Sequence, residues 1–134
     1  YGYPRREFYL PQRDEGTLRA FYRHRTHNDA YAWPGLQDLT ASVDFTALAE
    51  AGTQAGFDLV GYCNQASFLL GNGLQQRLEE AEARADETRM QRFRNEARHL
   101  TLPSEMGERF QVMGFARDVE FGVAFLLGDQ TWRL

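Results

Sequence analysis

Asp44-Phe45-Thr46-Ala47-Leu48-Ala49-Glu50-Ala51-Gly52-Thr53-Gln54-Ala55-Gly56-Phe57-Asp58-Leu59-Val60-Gly61-Tyr62 is the stretch whose reading decides the fold. Its first part has a helical period, with Phe45, Leu48, Ala49, Gly52 and Ala55 on one face. Asp44 stands where a carboxylate can accept hydrogen bonds from the first unpaired amides. Val43 before it and Leu48 after it have hydrophobic-staple spacing. Gly56 is a left-handed stop, so the helix is placed at 44–55. Phe57 to Tyr62 follows as a short apolar strand. Helix and strand together read as the second half of a βαβ unit, whose first strand would end at Tyr1.

Downstream, Asn64 can cap a helix over Gln65 to Leu70, with Gly71 and Gly73 ending it. Residues 74–100 read as polar helix with two apolar stripes. These are Leu74, Leu78, Ala81 and Ala85, then Met90, Phe93, Ala97 and Leu100, with Asp86 at an interruption or restart. The charged run Glu79 to Arg84 has too short an apolar stripe for a coiled coil and reads as a solvated face. Pro103-Ser104-Glu105 opens a helical turn. Phe110 to Phe115 and Val119 to Leu127 read as strands, and Gly128-Asp129 as a turn.

Upstream, Pro4 and Pro11 rule out a continuous helix over 1–11, and Arg13 to Gly16 is a turn signal. Thr17 to Arg23 alternates as a strand, with Leu18, Ala20 and Tyr22 on its more apolar face. Between Tyr22 and Phe45 lies a connection holding His24, His27, Asp29, the turn Trp33-Pro34-Gly35, Asp38, Thr40 and Asp44. Ionisable residues gathered in a connection point to a site carried by a scaffold.

Composition narrows the classes. The 134 residues are enough for one domain with a core, and 43% hydrophobic content argues against disorder. No run of about eighteen apolar residues exists, so no membrane-spanning helix is expected. Nor does the N-terminus have a signal peptide's layout. A single cysteine, Cys63, excludes an internal disulfide and a CxxC metal site. It reads as a small buried hydrophobe, and its solitude points to the cytoplasm. With 15 basic and 19 acidic residues the net charge is −4, which disfavours a nucleic-acid partner. The basic residues are all arginine and scattered, as a compositional bias would leave them.

Several segments resemble the MidA-type branch of the S-adenosylmethionine-dependent class I methyltransferases. Gly16-Thr17-Leu18 leads to Tyr22-Arg23-His24 as in that family. Tyr1-Gly2-Tyr3-Pro4 matches the end of a family strand, Asp-Tyr-Gly before a proline-containing turn, without its aspartate. The resemblance covers nearly the whole chain and is strongest at 16–24, 35–48, 57–70 and 105–115. It implies an α/β fold, the C-terminal half of a class I (Rossmann-like) sheet. Helix 44–55 would connect the fifth and sixth strands. Phe57–Tyr62 would be the sixth and Phe110–Phe115 the seventh, antiparallel to it, with 64–108 a helical insertion between them. Residues 1–134 would then be the C-terminal part of a methyltransferase domain whose cofactor-binding N-terminal half lies in a longer parent, and this part alone would be inactive.

The cofactor implied is S-adenosylmethionine, bound by the parent, with Tyr1 and Gly2 at its edge. A glycine-rich turn after a first strand is not visible in the chain, since Gly71-Asn72-Gly73 follows a helix. One branch member, the mitochondrial methyltransferase that assists respiratory complex I assembly, acts on arginine, so the implied partner is a protein substrate. A guanidinium needs carboxylates to orient it, and a base must manage the proton lost on methylation. Asp38, Asp44 and His24 are the catalytic candidates, with Asp29, Thr40, Gln65 and Phe68 on the substrate side.

Each candidate has a plainer explanation. Asp44 fits a helix cap, Asp29 an Asx-turn, and Gln65 a buried amide at a helix start; Asp38 has the weakest structural excuse. His24 and His27, three apart, have no third strong ligand, so no metal is expected and a metal-dependent hydrolase on His24, His27 and Asp29 is a weaker reading. Ser42 stands where bacterial relatives often carry histidine, which weakens any role at that position. A different class also fits: a stand-alone interaction or oligomerisation module without catalysis, whose aromatic residues (13%) and open sheet edge would be covered by a partner, a tight homodimer being the result that would support it.

Overall fold

The computed structural model describes residues 1–120 and 124–134. The elements run β1 (Gly2–Tyr3), α1 (Arg5–Phe8), a 3₁₀ turn (Pro11–Arg13), β2 (Arg19–Tyr22), β3 (Arg25–His27), β4 (Asp38–Thr40) and β5 (Val43–Asp44). They continue with α2 (Phe45–Gln54), β6 (Asp58–Asn64), α3 (Gln65–Gly71), α4 (Leu74–Glu82), α5 (Glu87–Thr101), β7 (Gln111–Ala116) and a 3₁₀ turn (Thr131–Arg133). The fold is mixed α/β, and it divides into two compact units, Tyr1–Glu50 with Leu134, and Ala51–Arg133.

In the first unit β1 lies parallel to β5, Gly2 opposite Val43 and Tyr3 opposite Asp44. A separate antiparallel sheet has the order β3-β2-β4. The sequence reading treats residues 24–43 as connection. Instead β2 and β3 form a tight hairpin, with Tyr22 opposite Arg25 and only Arg23 and His24 between them. Both turn residues are left-handed, at φ 46° and 63°. That is the backbone a two-residue hairpin needs to match strand twist, and it is ordinarily supplied by Asn-Gly. Without glycine or asparagine there, the usual sequence signal for a hairpin is missing.

In the second unit β6 and β7 pair antiparallel, from Asp58 opposite Ala116 to Asn64 opposite Gln111, as the resemblance implies. A shift between Leu59 and Gly61 bulges the strand at Val60. Gly61 then sits opposite Gly114, and the ring of Phe125 occupies the space both would need for a Cβ. Tyr62, Cys63, Ala116 and Phe125 are buried here. The Phe115 ring fills the Cβ space of Gly52 at the end of α2. Arg117 lies 4.2 Å over the Phe57 ring and donates to the Gly56 carbonyl at 3.2 Å, placing a cation at the helix C-terminus.

Three helices separate β6 from β7 along the chain. Asn64 accepts from the Ser67 amide (2.8 Å) at the start of α3, and Asp86 accepts from the Arg89 amide (2.9 Å) at the start of α5, so Asp86 marks a restart. Strand and helix bounds shift by one to three residues from those expected, as cap and strand ends do. Other expectations differ more. β1 pairs with β5, and among the described residues β6 pairs with β7 alone. Val43 and Leu48 are each more than 40% exposed, so no buried staple forms; Phe45 and Ala49 carry the buried face instead. The strand expected at 119–127 is absent at 119–120 and 124–127, and residues 121–123 lie outside the described residues.

Candidate functional site

The hairpin turns one side of the β3-β2-β4 sheet into a pocket. Side chains alternate along a strand, so Tyr22 and Ala20 share a face with their partners Arg25 and His27. The Trp33 ring stacks on Tyr22 at 4.7 Å and 24°, and meets the His27 ring edge-on at 5.1 Å and 89°. The Arg23 guanidinium lies 5.2 Å from the centre of the Tyr22 ring. Tyr22, Arg23, Arg25, Thr26, His27 and Trp33 line a cavity of about 610 Å³. Within it His27 Nε2 is buried and has no hydrogen-bond partner. A buried polar atom without a partner is costly and invites a ligand or ordered water.

Asp38 and Thr40, two apart on β4, share the opposite face, across from Phe21 and Arg19. Asp38 is exposed and engages no other side chain or amide through its carboxylate among the described residues. His24 is exposed at the hairpin tip and is not part of the cavity wall. The sheet therefore separates Asp38 and Thr40 from the aromatic pocket.

Other candidates are occupied structurally. Asp29 Oδ1 accepts the Tyr31 amide at 2.9 Å, an Asx-turn. Asp44 Oδ1 accepts the Ala47 amide at 3.0 Å and so caps α2, while its other oxygen lies 3.6 Å from Arg5 Nε. Arg5 also makes two parallel bonds to Glu50, at 2.7 and 2.5 Å. Those hydrogen bonds, more than the charge itself, hold the Glu50 carboxyl below its ordinary range against burial. Gly2 is buried where a Cβ would stand 2.5 Å from the Val43 carbonyl and 2.6 Å from the Phe45 ring, so close packing requires the glycine. Tyr1 is exposed, and its carbonyl accepts the Val43 amide at 3.1 Å.

Gln65 and Phe68 belong to the second unit. Gln65 Nε2 donates to the Leu100 carbonyl at 2.9 Å, joining α3 to α5, and Phe68 packs against Phe125 at 5.3 Å. Cys63 is fully buried; burial first, and the nearby Asp129 charge second, push its thiol up to about 11, so it is no nucleophile. No group of three His, Cys, Asp or Glu able to hold a metal converges among the described residues, so His24, His27 and Asp29 do not form a hydrolase centre.

Sequence reasoning passed over Trp33 and Arg25. Trp33 reads as part of a turn, yet a tryptophan beside two strand positions bearing an aromatic and a histidine is the signal that could have found the pocket. Asp129 was read as a turn residue only. Burial disfavours its charge, but the Thr131 hydroxyl and the amides of Tyr62, Thr131 and Gln130 outweigh that and lower its carboxyl.

Residues 1–63 match the family model described as "Putative S-adenosyl-L-methionine-dependent methyltransferase". The chain is 38% identical over 95 residues to the mitochondrial protein arginine methyltransferase NDUFAF7 of Rattus norvegicus, covering 70% of this chain and 21% of the relative. To the Drosophila melanogaster homolog it is 36% identical over 98 residues, covering 72% and 22%. The chain thus spans about a fifth of the length of these curated relatives. A crystal structure of a Burkholderia thailandensis protein bound to S-adenosyl-homocysteine superposes over the whole chain, with 44% identity and a TM-score of 0.87, and the chain covers 35% of it. A second structure from that organism, of an uncharacterised member of the same superfamily, gives 44% identity and a TM-score of 0.91, with 36% covered. The cytoplasmic expectation from one cysteine is overturned by the relatives, which are named as mitochondrial proteins. A reduced compartment and a lone thiol are equally compatible with either place, so that signal never discriminated. By sequence and by structure, the chain is a relative of the MidA-like S-adenosylmethionine-dependent methyltransferases.

Proposed function

We propose that this chain forms the substrate-facing, C-terminal part of an S-adenosylmethionine-dependent protein methyltransferase, with arginine of a partner protein as the methyl acceptor. The observation that carries the reading is the 44% identity, over the whole chain, to a structure bound to S-adenosyl-homocysteine. The naming of the curated relatives as protein arginine methyltransferases supports the acceptor. In this reading residues 64–108 are a helical insertion between the last two strands.

The residues present do not make a cofactor pocket by themselves. The Cβ space of Gly2 is filled by the chain's own Val43 and Phe45, and Gly71-Asn72-Gly73 ends α3 rather than following a strand. The cofactor, which would supply the methyl group, is therefore assigned to residues of a longer protein. What this chain offers is acceptor orientation. Asp38 is the free carboxylate of the candidate set, with Thr40 on the same face. A carboxylate beside a guanidinium fixes its plane through paired hydrogen bonds. Asp44 and Gln65 are left with positioning of α2 and α3.

The test is calorimetric titration of S-adenosylmethionine into the full-length protein carrying this chain, with methyl transfer to arginine followed by mass spectrometry. Saturable cofactor binding, retained in Asp38→Asn while turnover drops by about tenfold or more, is expected. An intact, folded full-length protein that does not bind the cofactor defeats the reading. A second reading, an interaction module without catalysis, is favoured by one feature: Val119, Leu126 and Trp132 are 69%, 77% and 82% exposed in the second unit. Light scattering separates them, since such a module requires a stable homodimer or partner complex.

A further inference from the structure

The pocket around Trp33 has the wrong charge for the acceptor. Arg23 and Arg25 both line it, and the Arg25 guanidinium makes no ion pair or hydrogen bond among the described residues. Two like charges in one wall repel a third guanidinium by Coulomb interaction. His27 Nε2 lies buried and unpartnered in the same wall, and as an N–H it can donate to an oxygen. Trp33 is 44% exposed, which leaves ring surface beside these donors after its stacking on Tyr22. Flat apolar surface beside convergent donors and uncompensated cations fits a carboxylate next to an aromatic or apolar side chain. The chain as a whole is acidic, so this positive spot is local and not a general basic face.

Resting on the methyltransferase reading above, we infer that the Tyr22–Trp33 cavity is a specificity subsite for an acidic segment of the protein substrate, with carboxylates held by Arg23, Arg25 and His27 and an adjacent aromatic residue laid on Trp33. Asp38 stands on the other face of the sheet. Acceptor and acidic flank thus meet charges of opposite sign on opposite faces of one sheet, which fixes the direction in which a peptide can cross it. A protein without an acidic residue near its arginine loses this hold, so the cavity selects among partners rather than performing the transfer.

The test uses fluorescence anisotropy with the full-length protein and two labelled hexapeptides, one alternating glutamate with tyrosine, the other glutamine with tyrosine. The acidic peptide is expected to bind about tenfold tighter at low ionic strength, a gap that closes with salt. Arg25→Gln and Arg23→Gln, checked for native circular dichroism, each remove roughly three- to fivefold of that preference. Trp33→Leu weakens both peptides alike. Equal binding of the two peptides, or a preference that survives both arginine variants, overturns the inference. So does tighter binding of an oligouridylate, which would make the cavity a nucleic-acid site. Cofactor titration on the same preparation keeps the two ideas apart. Cofactor binding without peptide discrimination sinks only the subsite, and discrimination without cofactor binding sinks the methyltransferase reading while leaving a pocket for acidic peptides.

Discussion

Replacing Gly61 by alanine tests how the second unit is held together. An ideal Cβ at Gly61 would stand 2.2 Å from Cγ of Phe125. Ordinary carbon contact is about 3.5–4.0 Å, so the ring must move by more than an ångström. Gly61 does not need a left-handed backbone, and alanine is otherwise the better strand residue. The whole cost therefore comes from displacing Phe125. Loss of much of a buried phenylalanine is worth about 1.5–3 kcal/mol, and overpacking costs about 1–3 kcal/mol. We expect Gly61→Ala to lower the unfolding free energy by about 2–4 kcal/mol, measured by urea denaturation. Phe125→Ala alone should cost about 3–5 kcal/mol. The double variant should cost about as much as Phe125→Ala alone, because alanine at 61 then fills space the ring has left. Costs that add to within about 0.5 kcal/mol would show the two sites to be independent and refute the reasoning.

Three further outcomes follow from the geometry. Asp44→Ala should destabilise by about 1 kcal/mol through loss of the α2 cap, with Asp44→Asn retaining most of it; a catalytic role predicts the opposite pattern, asparagine inactive and stability untouched. His24→Gly should raise the unfolding free energy by about 0.5–1 kcal/mol, because glycine carries a left-handed turn without the clash that histidine bears, and thermal melts report it directly. At pH 8 iodoacetamide should label native Cys63 about a hundredfold more slowly than an ordinary thiol, given a pKa pushed up to about 11. The stability carried by the neutral thiol is complete below the ordinary value near 9 and is lost as pH climbs towards about 11. A melting temperature that falls in that window in the native protein, but less in Cys63→Ala, would bear this out.

Much of the fold was legible where periodicity is unambiguous. The face Phe45, Leu48, Ala49, Gly52 and Ala55 located α2, and the apolar run after Gly56 located β6. The caps at Asp44 and Asn64 were readable too, from side chains able to accept amide hydrogen bonds just before a helical period, whereas Asp86 read only as an interruption or restart. The hairpin at Arg23-His24 was not legible. Two-residue turns are recognised by residues that favour a left-handed backbone, and neither of these does. For the same reason β3 and β4 were hidden in what reads as connection, each being three residues long. The site was legible only in part: local spacing anticipated the Asp44 cap and the Asp29 Asx-turn, but spacing along one strand cannot report which face of a sheet faces which neighbour. The Trp33 pocket depends on pairing between β2 and β3, which are separate segments, and no local pattern encodes it.

Residues 124–130 close back on the first strand of the β6–β7 pair. Asp129 takes the Tyr62 amide at 3.1 Å, the Gln130 amide returns to the Tyr62 carbonyl at 2.6 Å, and Phe125 covers the glycine pair. Such an arrangement works as a buckle: its two halves are far apart on the string and useless separately. Anyone shortening this protein for crystallisation should leave residues 124–134 in place, because removing them would strip the strap from β6 and open the most tightly packed part of the unit to water.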